Sequence, residues 1–150
     1  MKIEEALQQK KFSSEYQKAH LNILYTAAWL NQVTASVLKP YGLSSQQFNI
    51  LRILRGRHPA PASVKLLTER MIDKMSNASR LVDKLLEKGY VERIPCDSDR
   101  RRVDVSITDA GLKTLAAAST KMDDTLAQLK GTLALEEAEL LNSLLDKMRG

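Results

Sequence analysis

Apolar positions along the chain keep a helical period for most of its length and switch to alternation only between Tyr90 and Ile107. From about Phe12 to Lys39, Tyr16, Ile23, Leu30 and Val37 recur every seven residues, with Ala19, Ala27 and Thr34 on or beside the same stripe. Ser13 or Ser14 caps this long first helix, and Pro40 with Gly42 ends it. Ser44 is the N-cap of a second helix reaching about Arg57, followed by a loop through Pro61. Ser63 caps a short third helix, Val64 to about Met71, and Asp73 caps a fourth, Lys74 to Lys88, which Gly89 terminates.

The alternating stretches, Tyr90–Ile94 and Val103–Ile107, flank a polar turn and predict a β-hairpin. Thr108 or Asp109 then starts a fifth helix to about Lys130, striped by Leu112, Leu115, Met122, Leu126 and Leu129. A last helix, about Leu135 to Met148, carries Ala138, Leu141, Leu144, Leu145 and Met148. The fold class is mainly α, with a small β part. Three helices followed by a basic hairpin is the layout of a winged helix-turn-helix.

Charge changes this picture more than composition does. The segment Arg52–Arg102 holds 13 Lys/Arg against 7 Asp/Glu, whereas the rest holds 10 against 11. The net charge of +5 is therefore confined to the middle of the chain, where it suits a polyanion. A solvated charged face is the plainer alternative. One cysteine, Cys96, cannot staple a fold, so a reducing, cytoplasmic setting is expected, with the protein associated with the nucleoid. Two histidines and that cysteine make no metal cluster, and no cofactor is expected. No apolar run approaches the roughly 20 residues a membrane span requires, and no signal-peptide stretch is seen. Without a nucleophile–base pair or a phosphate loop, the chain is not read as an enzyme.

Two segments carry the chemistry. In the fourth helix Ala78, Leu81, Val82, Leu85 and Leu86 form one apolar stripe, while Ser76, Arg80, Asp83, Lys84 and Glu87 face the other way. Asn77 and Ser79 lie on the shoulders. A helix that reads the major groove needs such a buried back and a front of donors and acceptors near its N-terminus. Taken alone, the pattern equally describes an amphipathic surface helix. The turn Cys96–Arg102 adds three consecutive arginines, which cannot all pair internally and suit phosphates or the narrow minor groove. Asp97 and Asp99 are expected to orient those arginines by salt bridges.

Through Leu67–Arg70, Asp73–Leu85, Glu87–Arg93, Asp99–Arg101 and Ile107–Gly111 the chain resembles the MarR family of bacterial transcription regulators. The acidic-basic-basic wing triplet, followed by an alternating strand and Thr-x-x-Gly, is its most specific part. The resemblance implies one MarR-type domain over residues 1–150, with 12–39 and 109–148 as dimerisation helices and 44–108 as the winged DNA-binding region. It implies a homodimer, probing successive major grooves of a pseudo-palindromic double-stranded operator as a repressor. It also implies a small aromatic or phenolic effector, for which Tyr16, His20, Tyr25, Trp29 and Arg52 are the candidate residues.

Base reading is assigned to Ser76, Asn77, Ser79 and Arg80; phosphate contacts to Ser63, Lys65, Lys74 and Lys84; and the wing to Arg100, Arg101 and Arg102. Met75 is expected to be half-core, and Ala134 stands where a Ser or Thr cap is common. No membrane partner is expected. The rival readings are a winged-helix module binding an acidic protein and an architectural DNA binder that answers to no ligand.

Overall fold

The helical stripes become seven α-helices and the alternating stretches a small sheet, in a computed structural model that describes residues 1–150. The chain divides into two units, Met1–Ser36 and Val37–Gly150. In the first unit a short helix α1 (Ile3–Ala6), absent from the sequence reading, buries Ile3. Its Glu4 pairs with Lys18 at 2.5 Å, and the Lys18 ammonium also lies 5.9 Å from the Phe12 ring centroid. Helix α2 (Glu15–Leu38) is capped by Ser14, whose Oγ accepts from the Gln17 amide at 3.1 Å. Gln17 answers by accepting from the Ser13 amide, so the second serine is the cap. Tyr16, Leu24 and Trp29 stand exposed along α2, the first of them 89% so.

The second unit holds the core. Helix α3 (Ser45–Arg57) begins with a full capping box, in which Ser44 Oγ accepts from the Gln47 amide and Gln47 Oε1 from the Ser44 amide. Its Phe48, Ile50, Leu51 and Leu54 are buried, so the helix meets apolar neighbours on most of its sides. A two-residue strand β1 (Ala62–Ser63) leads into α4 (Val64–Arg70), capped by Ser63 as expected. Helix α5 (Ala78–Glu87) buries Ala78, Val82 and Leu85. Gly89, at φ 74°, ends it: the Gly89 amide donates to Leu86 and the Tyr90 amide to Leu85, a geometry that needs the left-handed region.

Strands β2 (Val91–Pro95) and β3 (Val103–Ile107) form the expected hairpin, with Val91 opposite Ile107 and Pro95 opposite Val103. β1 adds to the far side of β3, pairing Ala62 with Val105, so the antiparallel order is β1-β3-β2. Two residues carry no readable period, and this strand was invisible in the sequence. Helix α6 (Asp109–Ala127) sends Leu115, Ala118 and Met122 into the core, and Arg55 of α3 donates to its Ser119 at 3.3 Å.

Thr108 joins these parts. Its amide donates to the Tyr90 carbonyl, its hydroxyl donates to the Gly89 carbonyl at 2.7 Å, and the same Oγ1 accepts from the Gly111 amide at 3.1 Å. The end of α5, the edge of the hairpin and the start of α6 thus meet at one side chain.

Helix α7 (Leu135–Arg149) is different, because it has no buried residue. Leu140, Leu141, Leu144 and Met148 are each between 46% and 60% exposed. Its missing Ser/Thr cap at Ala134 is offset by Glu137, whose carboxylate accepts from the Ala134 amide at 2.8 Å. No helix is long and apolar enough to cross a membrane.

A methyl group at Gly111 would sit 2.1 Å from the Tyr90 carbonyl oxygen and 2.8 Å from Ile107 Cγ1. Since the first obstacle is backbone, Gly111→Ala is expected to cost about 1–3 kcal/mol by overpacking. Gly56→Ala, with nothing within 4 Å, is the control and should leave stability unchanged or raised. Thermal denaturation of both variants checks this; a Gly111→Ala protein as stable as wild type would refute the close approach.

Candidate nucleic-acid interface

The segment between α4 and α5 corrects the sequence reading. Asp73 does not cap the fourth helix. Its carboxylate accepts from the Met75 amide, two residues on, at 3.0 Å, and its carbonyl accepts from the Ser76 amide at 3.2 Å. Those bonds close a tight turn in place of a first helical turn. The helix starts at Ala78, with Asn77 as N-cap accepting from the Arg80 amide at 3.1 Å. Both Asp73 and Asn77 are competent caps; the later start wins where Ala78, the first apolar stripe residue, enters the core at 3% exposure. From α3, Asn49 Oδ1 accepts from the Ile72 amide at 2.8 Å and holds the turn from behind.

This shift moves the assigned base readers. Ser79 and Arg80 lie exposed on the first turn of α5, where they were expected. Asn77 is exposed but spends its carbonyl oxygen on the cap, leaving its amide group free. Ser76 precedes the helix, and its Oγ is buried without a hydrogen-bond partner. Met75, expected to be half-core, is 92% exposed, because the turn points it away from the interior. Ile72 beside it is 83% exposed. A cleft of about 220 Å³ runs along this end of the helix, lined by Gln46, Asp73, Asn77, Arg80 and Lys84 among others.

Among the residues assigned to phosphates, Lys65 and Lys84 are exposed. Lys74 is exposed too, with its ammonium donating to the Glu69 carbonyl at the end of α4. Ser63 uses its hydroxyl to cap α4 by accepting from Leu66 at 3.1 Å. One of the two acidic residues on the front of α5 has a structural purpose. Asp83 pairs with Arg93 of β2 at 2.7 Å, tying the helix to the hairpin.

At the hairpin tip the three arginines divide. Arg102 grips Asp104 in a two-pronged pair at 3.0 and 3.2 Å, and this bond with its attraction raises the guanidinium pKa further. Asp104 is 8% exposed, so Arg102 neutralises a nearly buried carboxylate. Arg100 and Arg101 are exposed and make no side-chain hydrogen bond or ion pair. The expected salt bridges from Asp97 and Asp99 do not form. Asp99 orders the backbone instead: its carboxylate accepts from the Arg101 amide at 2.9 Å and its carbonyl from the Arg102 amide. Cys96 Sγ lies 3.2 Å from Ser98 Oγ; hydrogen bonding by Ser98, with the Arg102 charge adding to it, lowers the thiol pKa.

The candidate effector residues are only partly brought together. Tyr25 and Trp29 line a cleft of about 130 Å³ with Met1, Ile3, Asn22 and Thr26, all within the first unit. Tyr16 and His20 are exposed and stand outside that cleft. Arg52 belongs to the second unit, where its guanidinium lies 5.9 Å from the Phe48 ring centroid.

Comparison with known proteins agrees with this arrangement. The model of the MarR family matches residues 43–103, from just before α3 to the first residue of β3. Among curated relatives, the HTH-type transcriptional regulator PecS of Dickeya dadantii is 28% identical over 79% of this chain and 72% of its own. A crystal structure of a MarR transcription factor from Planctomyces limnophilus is 31% identical, covers 91% of this chain and 98% of that one, and superposes with a TM-score of 0.68. A mutant of MarR from E. coli, solved in complex with operator DNA, has a TM-score of 0.79 at 24% identity, over 93% of this chain and 99% of its own. Winged-helix architecture, wing and family pattern coincide on the same residues, and the chain belongs to the MarR family.

Proposed function

We propose that the protein is a homodimeric, sequence-specific regulator of transcription that occupies pseudo-palindromic double-stranded DNA and represses by doing so. The observation that carries this reading is the free front of α5, Ser79, Arg80 and Lys84, in the same unit as two unpaired wing arginines, Arg100 and Arg101. The fold supplies a buried back for the helix, so that front is available to base edges. The wing arginines suit phosphates or a narrow minor groove. Arg102 is assigned to the wing's own stability, because it is held by Asp104. The E. coli relative bound to operator DNA supports the same use of the fold. An acidic protein partner would need no such division between a base-reading helix and a phosphate-binding tip.

The whole chain then acts as one MarR-type module, with residues 44–108 for DNA and the helices within 12–39 and 109–148 for association. The exposed leucines of α7 supply the apolar surface that a second copy would cover. Small aromatic effectors suit the cleft beside Tyr25 and Trp29, whose size matches a small ring.

Three measurements test these assignments. On DNA selected from random sequence, Arg80→Ala should cost about 1–3 kcal/mol and relax base preference at one position per half-site. Arg101→Ala should weaken every sequence alike and flatten the salt dependence by about one phosphate contact per protomer. Equal loss on all sequences for Arg80→Ala would make it a phosphate contact instead, and unchanged low-salt affinity for Arg101→Ala would remove the wing from the interface.

Sedimentation should give twice the 16.8 kDa chain mass for the wild type. Leu141→Glu with Leu144→Glu should shift it to the single-chain mass and weaken DNA binding. A wild-type monomer at micromolar concentration would end the dimer reading. Trp29 is the only tryptophan, so its fluorescence should be quenched saturably by simple phenols. Release from DNA with no change in that fluorescence would place the effector elsewhere.

A further inference from the structure

Ile72 and Met75 are the two most exposed large apolar side chains of the second unit, at 83% and 92%, and they stand on a single turn. Isolated apolar residues on a surface need no explanation. These two stand three positions apart on one turn, and that turn is not loose. Asn49 fixes the Ile72 amide, Asp73 fixes the amides of Met75 and Ser76, and Asn77 begins the helix directly behind them. The backbone that carries the pair is therefore held in place while both side chains are aimed at solvent.

The surroundings of the pair restrict what could cover it. Asp73 and Lys74 lie between the two residues, the Asp73 carboxylate turned onto the Met75 amide, and Arg80 and Lys84 follow on the exposed front of α5. An apolar pair beside these cations suits a polyanion that also presents apolar groups. DNA presents one such group on its major-groove edge, the C5-methyl of thymine. A recognition helix enters that groove by its N-terminal end, the end at which this turn sits. Ser76, which the sequence assigned to base reading, lines the cleft at this end of α5 but has its hydroxyl buried.

Resting on the DNA-binding reading above, we propose that Met75, with Ile72 beside it, is a specificity-determining contact that recognises thymine methyl groups in each half-site. Met suits this role, because its unbranched thioether can follow a methyl group without a strict rotamer.

The test uses deoxyuridine, which keeps Watson–Crick pairing and removes only the methyl group. In the preferred site selected from random DNA, each thymine is replaced singly by deoxyuridine and affinity is measured for wild type, Met75→Ala and Ile72→Ala. Wild type should lose about threefold to fivefold at one or two positions per half-site, the worth of one buried methyl group. Met75→Ala should bind the thymine site more weakly by a similar factor and no longer distinguish thymine from deoxyuridine at the position it reads. Both side chains lie outside the core, so unchanged thermal melting of the variants verifies that folding is not at issue.

Specific binding by wild type with no sensitivity to deoxyuridine at any position overturns this proposal and leaves the DNA-binding reading intact. The same result follows if Met75→Ala keeps the full wild-type sensitivity. Absence of any sequence-specific binding overturns both.

Discussion

Much of the second unit depends on how Thr108 is bonded. One hydroxyl donates to the carbonyl that ends α5 and accepts from the amide that starts α6, while the Thr108 amide closes the hairpin edge at Tyr90. Three elements with different jobs are thereby fixed to one another without a large interface. The joint tolerates no bulk, since Gly111 lies against the Tyr90 carbonyl. It also requires Gly89, whose left-handed backbone turns the chain from helix into strand. The orientation of the wing relative to α5 follows from this joint and from the Asp83–Arg93 pair, which adds a second attachment further along the helix.

Electrostatics in this unit are best understood by asking which cations are already in use. Arg93 is spent on Asp83 and Arg102 on Asp104, and Lys88 donates to the Gly42 carbonyl. Both arginine pairs lie at the surface on the cation's side, so their worth is geometric more than energetic. They set the angle of the hairpin and the shape of its tip. Arg80, Lys84, Lys65, Arg100 and Arg101 are among the cations left unpaired, and so belong to the share of the positive charge that can act outward. A net charge read from composition cannot make this distinction; contacts can.

The parts of the fold legible in the sequence were those with a long period or a strong local cap. Ser44 and Ser63 each announced a helix that begins where they predicted, and the start offered as Thr108 or Asp109 resolves to a Thr108 cap, because a capping side chain bonds only its own neighbours. Legibility failed where two local solutions compete. Asp73 and Asn77 both qualify as caps, and only burial of Ala78 and the hold of Asn49, 23 residues away, decide between them. That choice left Ser76 ahead of the helix and put Met75 in solvent. In the same way, the strand β1 exists only because β3 offers it an edge, and the pairing of Arg102 depends on an Asp104 that the alternation pattern marked merely as polar.

Helix α7 has a consequence that reaches beyond recognition. A helix of this length with no residue fully buried in its own chain gains little stability from that chain, since isolated helices of about 15 residues are marginal in water. On the proposed dimer, in which a second copy covers this face, its folded state is governed by mass action, and stability rises with the amount of protein present. Newly made chains at low abundance would then offer this segment to proteases before they find each other. On that reading the lifetime of the protein in the cell would follow its own concentration.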